Sequence, residues 1–239
     1  MPYKKGTRAR KRERAARYAV YAAFVFLIVF LAATVYLYSN GEISQTNYLA
    51  YASIAQSFIF SAVVLTYMLA TGRSFKLVIA QLGLSRKSLR FRYILYGLGI
   101  FGAIFLVEIG LTVFQAATGI SLPTNVSQVF TGLPIYFLVF TVLVVPINEE
   151  ILFRGVFVPE WWIKLRKHKT AWAIMFILFS ASFFGFLHYL SYNSISEFFT
   201  AFVFGLIAGY VRLKTKSLYP SITAHALINF LGVLALAII

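Results

Sequence analysis

A chain of 239 residues with 60% hydrophobic and only 12% charged residues, at a mean hydropathy of +0.81, is not a soluble domain, in which about 25% of residues are charged. The composition points to a polytopic membrane protein, and one helical bundle uses up the length. There is no Cys and no Asp, which excludes disulfides, thiolate metal sites and any chemistry that needs paired aspartates. A formal net charge of +15 could suit nucleic acid, but the positions of the cations argue otherwise.

Residues 1–17 hold eight Lys or Arg against one acid, Glu13. This stretch reads as a solvated topogenic tail beside a first membrane helix rather than as a nucleic-acid arm. It is not expected to be a signal peptide, since the apolar run from Tyr18 to Tyr38 is too long and no clear cleavage site follows. Apolar runs long enough to span a bilayer recur at 18–38, 48–70, 92–118, 133–158, 170–190, 196–211 and 218–238. The expected fold is therefore an all-α polytopic membrane bundle of about seven transmembrane helices, with residues 18–239 forming one domain. The connections sort by charge. Segments 39–47 and 191–197 carry one glutamate each, and segment 119–132 carries no charge. The alternate connections collect Arg73, Lys76, Arg86, Lys87, Arg90 and Arg92, then Lys164, Arg166, Lys167 and Lys169, then Arg212, Lys214 and Lys216. With the tail, these account for every Lys and Arg except Arg154. The positive-inside rule then places the N-terminus in the cytoplasm, as expected for a cell-membrane protein.

Two glycine patterns invite misreading. Gly97-Leu98-Gly99-Ile100-Phe101-Gly102 spells a dinucleotide-binding fingerprint, but that fingerprint needs a strand before it and a helix after it. Here it lies inside the third span, where glycines let helices approach closely. Gly205 and Gly209 form a GxxxG pair in the sixth span, again a packing signal.

The chemistry concentrates in Asn148-Glu149-Glu150-Ile151-Leu152-Phe153-Arg154-Gly155, set inside the fourth apolar run. A charged side chain at a bilayer centre costs ~2.5–3.5 kcal/mol on insertion scales, so three of them in one stretch call for compensation. Glu150 and Arg154, four residues apart, share a helix face and can pair, whereas Glu149 points about 100° away toward neighbouring helices. Pro146 removes one backbone hydrogen bond just ahead of the pair and favours a kink there. A charge-neutral Glu150–Arg154 pair could serve packing alone, but it would leave Glu149 unexplained. Three histidines complete the inventory. His168 sits among Lys164, Arg166, Lys167 and Lys169 and reads as a solvated loop residue. His188 lies late in the fifth span, four residues after Phe184. His225 lies in the seventh, with Asn229 one turn later. Each histidine alone could be a core residue; together with an intramembrane glutamate pair, on three helices, they point to a shared interior site.

This constellation resembles the CPBP family of intramembrane proteases, which includes type II CAAX prenyl endopeptidases and the Abi-like bacteriocin-processing or immunity proteins. The family's E-E-x-x-x-R reads here as Glu149-Glu150-Ile151-Leu152-Phe153-Arg154, its F-x-x-x-H as Phe184-Gly185-Phe186-Leu187-His188, and its H-x-x-x-N as His225-Ala226-Leu227-Ile228-Asn229. The three motifs fall in order on the fourth, fifth and seventh spans, and the resemblance covers residues 133–239. The family's prenyl proteases have eight spans, one more than the seven apolar runs here.

The resemblance implies peptide-bond hydrolysis within the membrane. By that analogy Glu149, with His188, activates a water as general base, and His225 and Asn229 stabilise the oxyanion. Glu150 and Arg154 would hold the fourth span in register. The family has also been called metalloprotease, and Glu149, His188 and His225 could form a three-ligand zinc site with an open position. A metal-free glutamate mechanism is slightly favoured, because the oxyanion role leaves no ligand spare. The implied partners are the bilayer and a membrane-embedded or lipidated substrate, either a prenylated CAAX protein or a leader peptide, with no nucleic acid. Other membrane proteases are excluded by their missing parts: paired Asp, H-E-x-x-H, and a G-x-S within a helix. The alternative from another class is a non-catalytic membrane protein, an immunity or scaffold subunit or a proton-coupled transporter. Glu108 in the third span motivates the transporter; an inverted repeat, which would favour it, is not visible.

Overall fold

The computed structural model describes residues 29–30, 33, 36–44, 48, 75–122, 135–163 and 167–238. The basic tail and most of the first two expected spans lie outside them. Contacts group the chain into two units, Met1–Ile79 and Ala80–Ile239, and the site belongs to the second.

The described helices are α1 (Phe75–Gln81), α2 (Phe91–Thr118), α3 (Ile135–Glu150), α4 (Glu160–Ile163), α5 (Lys169–Tyr192), α6 (Ile195–Thr215) and α7 (Tyr219–Ile238), with no strand among the described residues. The third to seventh expected spans thus match α2, α3, α5, α6 and α7 to within a few residues. Four of these helices are long and apolar enough to cross a membrane, counting α3 with its continuation to Val156; the apolar part of α7, Tyr219–Ala235, is shorter. Large apolar side chains such as Leu106, Val113, Phe179 and Phe186 are exposed, as lipid contact requires. The chain is an integral membrane protein.

Local sequence sets the turns. The α5–α6 hairpin closes through Asn193, which takes the left-handed conformation (φ 46°) at the end of α5. Ser194 follows as the α6 N-cap, its hydroxyl accepting the Glu197 amide hydrogen bond at 3.3 Å. Gly83 (φ 80°) turns the chain after α1 so tightly that an added Cβ would lie 2.8 Å from the Lys216 carbonyl oxygen. Around it, the Leu218 amide donates to the Gly83 carbonyl at 3.1 Å, and Ser217 Oγ donates to the Ser88 carbonyl at 2.8 Å. These bonds bring the start of α2 and the end of α6 to the same end of the bundle.

Two details differ from expectation. The sixth span runs to Thr215, so Arg212 belongs to the helix rather than to a connection; it is 1% exposed and donates from Nη2 to the Gln81 carbonyl at 2.8 Å. The second is a π turn over Ile151–Val156, just beyond the α-helical segment that contains Pro146. The glycine reading holds for Gly205, where a Cβ would sit 2.8 Å from Ala181 Cβ, and for Gly209 against Ile177. Of the fingerprint-like glycines only Gly97 makes a close approach, to Pro220 and Thr223 of α7; Gly99 and Gly102 face open space. Gly97→Val should therefore push α2 and α7 apart and destabilise by about 1–3 kcal/mol, lowering the melting temperature in detergent by several degrees. Gly99→Val, two residues away, should leave the melting temperature unchanged.

Candidate active site

The site forms where α3 passes between the α5–α6 hairpin and α7. Glu150 and Arg154 are both fully buried, and Arg154 Nη1 donates to Glu150 Oε1 at 2.6 Å. A guanidinium in this setting needs more than one acceptor. Arg154 Nε and Nη2 have no hydrogen-bond partner among the described residues. The rings of Phe184, Phe204 and Phe153 surround it instead, with centroids 4.4, 4.9 and 5.7 Å from Cζ, a desolvated cation–π arrangement. Gly205 makes room for it, since a Cβ there would lie 3.3 Å from Arg154 Nη2. The π turn that carries Arg154 is stitched to α5 by Ser180 Oγ, which donates to the Phe153 carbonyl at 2.6 Å. A widened turn frees carbonyls from the helical ladder, and such turns recur at functional sites.

His225 of α7 joins both glutamates. Its Nδ1 lies 3.3 Å from Glu150 Oε1 and its Nε2 3.5 Å from Glu149 Oε2. The ring is 5% exposed and packs edge-on against Phe184 and Phe204. His188 of α5 bonds locally, with Nδ1 3.0 Å from the Phe184 carbonyl oxygen, which leaves Nε2 as its outward nitrogen. Asn229 Nδ2 donates to the Thr141 carbonyl at 2.9 Å, tying α7 to α3 one turn beyond His225.

His188, His225, Asn229, Phe184 and Thr141 line one cavity of about 560 Å³. Glu149 is 8% exposed and meets this cavity through His225. The structure thus brings Glu149, Glu150, Arg154, Phe184 and His225 into direct contact around one point, with His188 and Asn229 on the shared wall. His168 is exposed, as expected of a loop residue. The other end of the cavity was not foreseen: Tyr192, Glu197 and Thr200 line it with Glu108, and Thr200 Oγ1 donates to Glu108. Glu108 in the third expected span and Glu197 in the connection before the sixth were the sequence signals for this end, but nothing in their spacing joins them.

Glu149, His188 and His225 do not converge as a metal-ligand set, and no group of three His, Cys, Asp or Glu suited to a metal occurs among the described residues.

A membrane-embedded helical bundle that buries two carboxylates, a guanidinium and an imidazole beside a cavity belongs to the class of membrane proteins with interior polar chemistry. Residues 131–231, which hold all three motifs, are similar to the family of Rce1-like type II CAAX prenyl endopeptidases. Comparisons with curated proteins and with solved structures gave no match.

Removing one partner of the buried pair exposes its cost. Arg154→Ala should destabilise by about 3–5 kcal/mol, since it leaves Glu150 buried without its cation. The double substitution Glu150→Gln/Arg154→Met should cost less than the sum of the single changes, as read from unfolding in mixed detergent.

Proposed function

We propose that the protein is an intramembrane endopeptidase that cleaves membrane-associated substrates by a glutamate-activated water. One observation supports this reading most: His225 stands between Glu149 and Glu150, in the wall of a cavity that His188 and Asn229 share. In this mechanism Glu149, with His188, takes a proton from water as its oxygen adds to the scissile carbonyl carbon. His225 Nε2 and the Asn229 amide donate to the resulting oxyanion. The 3.5 Å contact from His225 Nε2 to Glu149 is longer than a well-formed hydrogen bond, so a substrate oxygen can compete for that nitrogen. Asn229 gives one N–H to Thr141 and keeps a second for substrate. Collapse of the intermediate breaks the C–N bond, and the proton held by Glu149 passes to the leaving amine. Glu150 and Arg154 position His225 and the π turn and do not touch substrate.

The mechanism as written needs no metal. The substrate class is a prenylated CAAX-type protein or a leader peptide, and the basic connections favour a cytoplasmic N-terminus. The test is cleavage of prenylated CAAX and leader-type peptides by purified protein, with and without a strong chelator. Glu149→Ala should abolish cleavage, Asn229→Ala should lower kcat about 10²-fold, and chelator should leave the wild-type rate unchanged. Loss of wild-type activity with chelator would transfer the water to a metal; cleavage that survives Glu149→Ala would remove the glutamate from its role.

A further inference from the structure

A second pocket, of about 430 Å³, lies at the end of the bundle where α2 begins and α6 ends. Arg90, Arg92, Lys214 and Lys216 line it, with Ser85 and Ser88, and no acid does. The walls are held by hydrogen bonds that cross between the two segments: Ser217 Oγ to the Ser88 carbonyl at 2.8 Å, and Tyr93 Oη to the Thr215 carbonyl at 3.3 Å. Arg92 lies along the wall, its Nη2 donating to Tyr93 Oη at 3.4 Å with Cζ 5.1 Å from the ring centroid. Arg90, the N-cap of α2, gives that helix no side-chain cap hydrogen bond, so the positive end of a 28-residue helix adds to the four cations.

Orienting the chain in a membrane requires basic residues somewhere in these connections. It does not require four of them around one pocket at a helix N-terminus, the arrangement that binds phosphate. On the same helix, one turn apart on one face, Phe91 is 74% exposed and Leu95 50% exposed, an apolar strip suited to an acyl chain.

We propose that this pocket binds the phosphate headgroup of an anionic phospholipid, whose chains run along the exposed face of α2. The phosphate chemistry is shared with free phosphate esters, and the apolar strip assigns the source to lipid. The site is independent of the catalytic reading, so neither stands or falls with the other.

The test is native mass spectrometry of the full-length, delipidated protein titrated with phosphatidylglycerol, phosphatidylcholine or glycerol 3-phosphate. Phosphatidylglycerol should bind about tenfold or more tightly than phosphatidylcholine, and millimolar glycerol 3-phosphate should not displace it. Arg90→Gln/Lys216→Gln should weaken phosphatidylglycerol binding roughly 10- to 30-fold, and Lys214→Gln alone by less. Lys167→Gln/Lys169→Gln, which removes two exposed charges elsewhere, should have no effect. Circular dichroism and elution volume verify that each variant is folded. Equal affinity for the two lipids, an equal loss in the Lys167/Lys169 control, or displacement by glycerol 3-phosphate would overturn the proposal.

Discussion

A guanidinium and a carboxylate 2.6 Å apart in an apolar interior constrain everything packed around them. Each charge alone would cost several kcal/mol to keep out of water, so the pair stays formed only while α3, α5 and α6 hold their register. The phenylalanines around Arg154 and the missing side chain at Gly205 provide the fit. The second carboxyl group, Glu149, faces His225. The pair thus fixes one edge of the imidazole and leaves the other edge at the cavity, where a reacting group could use it.

This placement also explains the π turn. An ordinary helical turn between Glu150 and Val156 would keep the Phe153 carbonyl in the ladder. The widened turn releases it to Ser180 of α5 and carries Arg154 into the ring cage. Local backbone irregularity is tolerated at membrane depth where it is buried in protein, and here it is buried against the hairpin.

Much of this was legible in the sequence because it follows from spacing along one helix. Five of the seven expected spans fall on described helices, and the Glu150–Arg154 pair follows from a separation of four residues. The contact of His225 with both glutamates was not legible, since it joins helices 75 positions apart and depends on how α7 crosses α3. The π turn has no composition signal of its own. Arg212 was misplaced because a basic residue ending an apolar run reads as a connection, whereas the Gly83 turn covers it in the fold. Glu108 was conspicuous as an intramembrane acid, but its partner Thr200 lies 92 positions away. Tertiary pairing of this kind needs the crossing geometry of the helices, which hydropathy does not carry.

The central claim is that water, activated at Glu149, adds to a peptide carbonyl inside the membrane. Its most direct test is cleavage of a farnesylated CAAX peptide by purified protein in water enriched in oxygen-18, with the products read by mass spectrometry. The account predicts one heavy oxygen in the new carboxylate of the wild-type product, and no such product from Glu149→Gln. A labelled product formed at the wild-type rate by Glu149→Gln would contradict it.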